Sequence, residues 1–205
     1  MNVKSLAGRR AAVAAGLALA LGCGLSAQAS AAGSGATGGK AEGAVTHRSG
    51  GSDDKGTVAG CSEEVLGVSA VKEPADSRGA RHLLITVQNA GDRACNLYRY
   101  PLVRLGADAR TTVPVIKESD PNPGVPVTLA PGAEAYAALL VSGGAMDEYP
   151  AKSITLGLQG RKPGSSAGGP IDVPMPVETL YADDGQRVTY WTTSSGFALD
   201  FIMSK

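Results

Sequence analysis

The chain has 205 residues, 19 Lys and Arg balanced by 19 Asp and Glu, and aromatic side chains make up only 4% of it. A chain with no net charge and no basic run interleaved with aromatics lacks the electrostatic footprint of nucleic-acid binding, so no nucleic-acid partner is expected. Two histidines in the whole chain leave little for any chemistry that needs a histidine base.

Lys4, Arg9 and Arg10 precede an unbroken run of Ala, Val, Leu and Gly over residues 11–21. That run is short for a bilayer span and suits the apolar region of a secretory signal. Ala27-Gln28-Ala29 and Ala29-Ser30-Ala31 both fit small-residue cleavage, so residues 1–31 read as a signal peptide and the mature protein as secreted and extracellular. Arg9-Arg10 lacks a large apolar residue soon after it, which makes a weak twin-arginine signal. The alternative at this end is Ala20-Leu21-Gly22-Cys23 as a lipobox. Acylation of Cys23 would anchor the chain to the outer face of the cytoplasmic membrane, and membrane association is expected only in that case.

Residues 32–60 are rich in Gly, Ala, Ser and Thr, with Val45 and Val58 as the only large aliphatics. Such a segment buries too little apolar surface to offset chain entropy, so it reads as a disordered tail or tether. Once the signal is removed, Cys61 and Cys95 are the cysteines that remain. An even pair in an oxidising compartment suggests one disulfide, and closing a loop of about 35 residues would contribute roughly 3–4 kcal/mol. A two-thiol metal site is the poorer alternative, since only His47 and His82 exist to complete it.

Residues 61–205 suffice for one packed domain and carry 13 Lys and Arg against 16 Asp and Glu, a net charge of −3. Their periodicity is that of strands. Leu83, Ile85 and Val87 alternate before a turn at residues 89–92. Leu102, Val103 and Leu105 form a short strand, and Val113, Val115 and Ile116 another. Residues 119–124 are a loop. Val125, Val127 and Leu129 alternate up to Pro131-Gly132, a dipeptide suited to the centre of a type II turn. Residues 135–141 read as a strand rather than a helical turn. Ile154, Leu156 and Leu158 alternate, and residues 161–170 form a loop. Ile171, Val173, Met175 and Val177 alternate with Pro174 and Pro176, which places that strand at a sheet edge. Residues 188–193 and 197–202 close the chain as strands. Eight or nine short strands without an intervening helix indicate an all-β antiparallel sandwich.

Cys61, the run Leu83-x-Ile85-x-Val87-x-Asn89-x-Gly91, Cys95-x-Leu97, Tyr100-Pro101 and Leu129-x-Pro131-Gly132-x-x-Ala135 occur in that order. In this the chain resembles the actinobacterial exported domain-of-unknown-function family 4232 (DUF4232). The resemblance implies a secreted or lipid-anchored protein, an immunoglobulin-like sandwich, a Cys61–Cys95 bridge and no established activity. Two features depart from the family. Arg99 stands where Gly is common, so the backbone there is a candidate for unusual φ. The second cysteine pair that many members carry in the C-terminal half is missing.

Few residues carry chemistry. His47 falls in the tail, His82 reads as a surface histidine at the start of a strand, and no G-x-S-x-G elbow exists. No catalytic residue and no cofactor is expected. Glu63-Glu64, Asp147-Glu148 and Asp183-Asp184 read as solvated charge, although carboxylates from different loops could converge. Glu118, Asp120 and Asn122 alternate in one loop and form a weak candidate calcium set, which turn formation explains equally well. Tyr98 and Tyr100 are two apart and share a sheet face if extended. With Trp191 they are the candidate partner-binding residues, while core packing is the competing role for Tyr100 and Trp191. The expectation is an exported, non-enzymatic module that binds an extracellular or envelope protein or glycan. The alternatives are a secreted hydrolase using loop carboxylates, or a secreted protease inhibitor presenting residues 119–124 or 161–169.

Overall fold

The computed structural model describes residues 57–144 and 146–205. The expected signal peptide, Cys23, His47 and residues 32–56 of the expected tail lie outside them. In chain order the strands are β1 (Leu66–Lys72), β2 (His82–Asn89), β3 (Cys95–Leu105), β4 (Val127–Leu129), β5 (Glu134–Leu140), β6 (Tyr149–Ala151), β7 (Ile154–Gln159), β8 (Ile171–Val173), β9 (Leu180–Ala182) and β10 (Arg187–Val188), followed by a short helix, α1 (Ser195–Asp200).

One sheet has the order β1-β2-β5-β10, a second β4-β3-β7-β8, and β6 pairs with β9 as a separate ribbon. Every named pairing is antiparallel. Lettered along the chain as A, B, C, C′, E, F and G, strands β1–β5, β7 and β8 give an A-B-E sheet over a C′-C-F-G sheet, the connectivity of an immunoglobulin-like sandwich. The period-2 pattern explains the core. Leu83, Ile85 and Val87 of β2 and Ala135, Ala137 and Leu139 of β5 share one buried cluster with Leu97, Val103 and Leu105 of β3 and Ile154, Leu156 and Leu158 of β7. Each fully buried Leu or Ile there contributes about 1.5–3 kcal/mol.

Cys61 and Cys95 form a disulfide with Cα atoms 4.8 Å apart. The bridge joins the segment before β1 to the first residue of β3. Asn96 N–H donates to the Ala59 carbonyl at 2.8 Å, and Cys61 N–H donates to the Asn96 carbonyl at 2.9 Å. Backbone pairing therefore begins before Cys61. Asn89, fully buried, ties two turns together. Its side-chain amide donates to the carbonyls of Arg93 (2.8 Å) and Leu129 (3.0 Å) and accepts from Gly91 N–H (3.0 Å). The Pro131-Gly132 turn is as expected: Gly132 has φ 77°, and Ala133 N–H donates to the Ala130 carbonyl at 3.0 Å.

Several expected strands are absent or reduced. Residues 113–116 do not form one. Pro114 lacks an N–H, and the segment makes a single parallel bridge, Val115 to Val188, before a 3-10 turn at Lys117–Ser119. The expected strand over 188–193 shrinks to β10, because the Thr189 hydroxyl, not its backbone carbonyl, accepts the Ala138 N–H at 2.8 Å. Residues 197–202 are helical at their start. Ser194 caps α1 by accepting Phe197 N–H at 3.3 Å, and Ala198 and Ile202, four apart, pack with Ile116, Ala138 and Leu140 in a second small cluster. β8 lies at a sheet edge as expected, but it ends at Val173, before both prolines. Strands β1, β6 and β9 were not in the expectation. Among the described residues no helix is long and apolar enough to cross a membrane.

Candidate functional site

The site is built on an irregularity in β3. Tyr98 pairs with Gln159 and Leu102 with Gly157, so four steps along β3 oppose two along β7. Such a bulge bends the strand and re-aims side chains. At its centre Arg99 has φ 59°, the left-handed region where a glycine would sit without strain. The Arg99 side chain holds the distortion in place. Nε donates to Gln159 Oε1 (2.8 Å), Nη2 to the carbonyls of Gly160 (2.7 Å) and Lys162 (3.0 Å), and Nη1 to that of Arg161 (3.4 Å). Gln159 Nε2 donates to the Tyr100 carbonyl at 2.8 Å, and Trp191 N–H to the Arg99 carbonyl at 3.0 Å.

Beside the bulge opens a cleft of about 780 Å³. Tyr98, Arg99 and Val127 line it from the sheet, Asp120, Pro121, Val125 and Pro126 from the loop before β4, Arg161 and Pro163 from the loop after β7, and Tyr190 from the C-terminal segment. Val125 is 57% exposed. The loop bearing Asp120 is positioned by Ser119, whose hydroxyl donates to the Ile116 carbonyl (2.6 Å) and accepts Tyr190 N–H (3.0 Å). Tyr190 packs edge-on against Tyr100 with ring centroids 5.1 Å apart. Burial raises the Tyr190 phenol above its ordinary pKa; the Asp120 carboxylate and Tyr100 add to this, and Arg99 opposes it. Tyr190 is therefore a hydrogen-bond donor across the neutral range.

Three of the residues singled out by sequence, Tyr98, Asp120 and Trp191, meet at this cleft. Trp191 does so from below: it is 2% exposed and belongs to the core. Tyr100 stands behind Tyr190 and does not line the cleft. Glu118 lies in the preceding 3-10 turn, and Asp120 Oδ1 accepts Asn122 N–H at 3.1 Å, the turn-forming bond. Among the described residues no three His, Cys, Asp or Glu gather to hold a metal ion.

Two expectations about charge need correction. Asp183 is not solvated. It is 1% exposed, and its carboxylate accepts from Ser142 Oγ (2.8 Å) and from the N–H groups of Gly143 (2.8 Å), Gly144 (3.0 Å) and Gly185 (2.8 Å). The loops bring backbone donors to it because Gly143 and Gly185 approach where no side chain fits: a Cβ on Gly143 would lie 2.8 Å from the Gly185 carbonyl oxygen. His82 is half-buried, with Nε2 enclosed and unpartnered. Burial and then the Arg81 charge lower its pKa, and the Lys205 backbone opposes them in part.

Sequence reasoning passed over Arg99 as a functional residue; Tyr190 was not carried to the site, and Arg161 entered only within the 161–169 loop of the inhibitor alternative. The signal available for Arg99 was its place at a position where glycine is common. Nothing in local spacing pointed to the other two.

These features define a disulfide-bridged β-sandwich domain with an aromatic- and proline-walled cleft at a clamped bulge. A family model described as Domain of unknown function (DUF4232) matches residues 61–192, and the chain belongs to that family. No curated protein and no solved structure matches.

Proposed function

We propose that this domain is a non-enzymatic module that works outside the cytoplasm and holds an extracellular or envelope protein or glycan in the cleft between Tyr98, Val125 and Tyr190. The observation that carries this reading is the makeup of the cleft wall. Two tyrosines, three prolines and an exposed valine surround it, with two arginines and one aspartate for orientation. Rigid rings and prolines give contact area at a low entropic cost, which is what a binding surface requires. Asp120 is the only carboxylate in that lining, and no histidine is there, so the wall offers neither a carboxylate pair nor a nucleophile–base pair. The Cys61–Cys95 disulfide is compatible with an oxidising, extracellular setting.

The experiment is capture on the immobilised, oxidised chain lacking residues 1–31, from solubilised envelope and from culture fluid. Saturable binding that is lost in Val125→Asp and Tyr98→Ala, at unchanged melting temperature, is expected. Binding equal in wild type and both variants overturns the assignment to this cleft.

A further inference from the structure

The loop after β7, which lends Arg161 and Pro163 to the cleft wall, is also clamped from beneath. Gly160 N–H donates to the Ser165 carbonyl (2.7 Å), Gln159 bridges to Ser166, and Ala167 N–H donates to the Leu158 carbonyl (3.0 Å), so residues 160–165 are closed at their base. Lys162-Pro163-Gly164-Ser165 turns with Gly164 at φ 79° and Ser165 N–H donating to the Lys162 carbonyl at 3.1 Å. Residues 161–166 are all exposed. Among the described residues the Arg161 guanidinium has no hydrogen-bond or ion-pair partner, and Arg161 is exposed on the limb that leads into the Pro163-Gly164 turn. Beneath it a single buttress, Arg99, bonds the carbonyl before Arg161 (Gly160) and the carbonyl after it (Lys162). The Arg161 carbonyl is held most loosely, at 3.4 Å.

An exposed basic loop tip is ordinarily a site of proteolytic nicking. A loop fixed from beneath on both sides of a basic residue behaves differently. It enters a protease already in its bound shape, and pre-organised protease–inhibitor contacts of this sort are among the tightest known. We propose that residues 160–165 dock into a trypsin-like serine endopeptidase, with Arg161 in the acidic specificity pocket and Arg161–Lys162 as the bond presented. This rests on the reading of the domain as a binding module and names one partner class for it. Attack on the Arg161 carbonyl would release the Lys162 amine, and water would then give the Arg161 carboxylate. Arg99 keeps the two ends side by side, so re-forming the bond, with return of that water, competes with release. Lys162–Pro163 is excluded as the presented bond, because its proline nitrogen makes it a poor substrate.

The test titrates trypsin, with an arginine chromogenic substrate, against the oxidised chain lacking residues 1–31. Inhibition with an apparent Kd of about 1 μM or tighter is expected. Arg161→Ala, a change at an exposed residue, should weaken it at least about 30-fold, as loss of an anchoring side chain does. Arg99→Gly removes the buttress while suiting the positive φ; it should be cut after Arg161 about tenfold faster than wild type and inhibit less. No inhibition at about 10 μM chain overturns the proposal, whether the loop stays intact or is cut equally fast in wild type and Arg99→Gly. Inhibition that survives Arg161→Ala overturns it as well. Val125 lies outside this loop, so a ligand captured by the cleft and lost in Val125→Asp would stand whatever trypsin does.

Discussion

Gly132 donates its backbone N–H to the carbonyl of Asn89 at 2.7 Å, while Asn89 N–H donates to Ala133 and the Asn89 side chain reaches the Leu129 carbonyl. The end of β2 and the β4–β5 turn are thus one hydrogen-bonded unit inside the core. Asn89→Ala would leave the carbonyls of Leu129 and Arg93 and the N–H of Gly91 without their partner. Each buried group left unsatisfied costs about 1–3 kcal/mol, so a loss of about 3 kcal/mol or more is expected in urea unfolding. A loss below about 1 kcal/mol would mean that water reaches this site.

Cys61→Ser with Cys95→Ser should lower the melting temperature and keep a β-type circular dichroism spectrum. The bridge spans 34 residues and should contribute roughly 3–4 kcal/mol. Because the segment before it also pairs with Asn96, the variant should stay folded at room temperature. An unchanged melting temperature would show that the bridge does not stabilise the fold.

Much of the fold was legible because it rests on alternation. β2, β5 and β7 send every second residue into the main core cluster, and period 2 reveals them in the sequence. β1 was not legible. It is an edge strand interrupted by Gly67 and Ser69, and only Ala70 of it is buried. The C-terminal segment misled for a definite reason. Phe197, Leu199 and Phe201 alternate like a strand, whereas the residues that are buried, Ala198 and Ile202, are spaced like a helix. The cleft was only half legible. Its aromatics could be named, but Tyr98 and Tyr190 are far apart in sequence and meet only through the order of the sheets.

Asp183→Ala should destabilise the domain by about 3 kcal/mol, since four donors lose the buried carboxylate that accepts from them. Asp183→Asn should fall between wild type and alanine. Its carbonyl can serve Gly143 and Gly185, and the Ser142 hydroxyl can reverse, but its amide must face the Gly144 N–H. Unfolding by urea of all three proteins checks the order. Equal stability of wild type and alanine would refute the junction as a stabilising element.

His82 gives the domain a pH dependence whose sign follows from its environment. Burial and the neighbouring Arg81 hold its folded pKa below the ordinary 6.5. As pH falls through the ordinary value, the unfolded chain takes up the proton first, so unfolding is favoured progressively until the folded imidazole also titrates. Stability is therefore complete above pH 6.5 and declines below it. The decline should begin before most carboxylates protonate. His82→Gln, which cannot titrate, should flatten the melting temperature against pH as pH falls below about 7. Identical slopes for the two proteins over that fall would show that the enclosed Nε2 accepts its proton without loss.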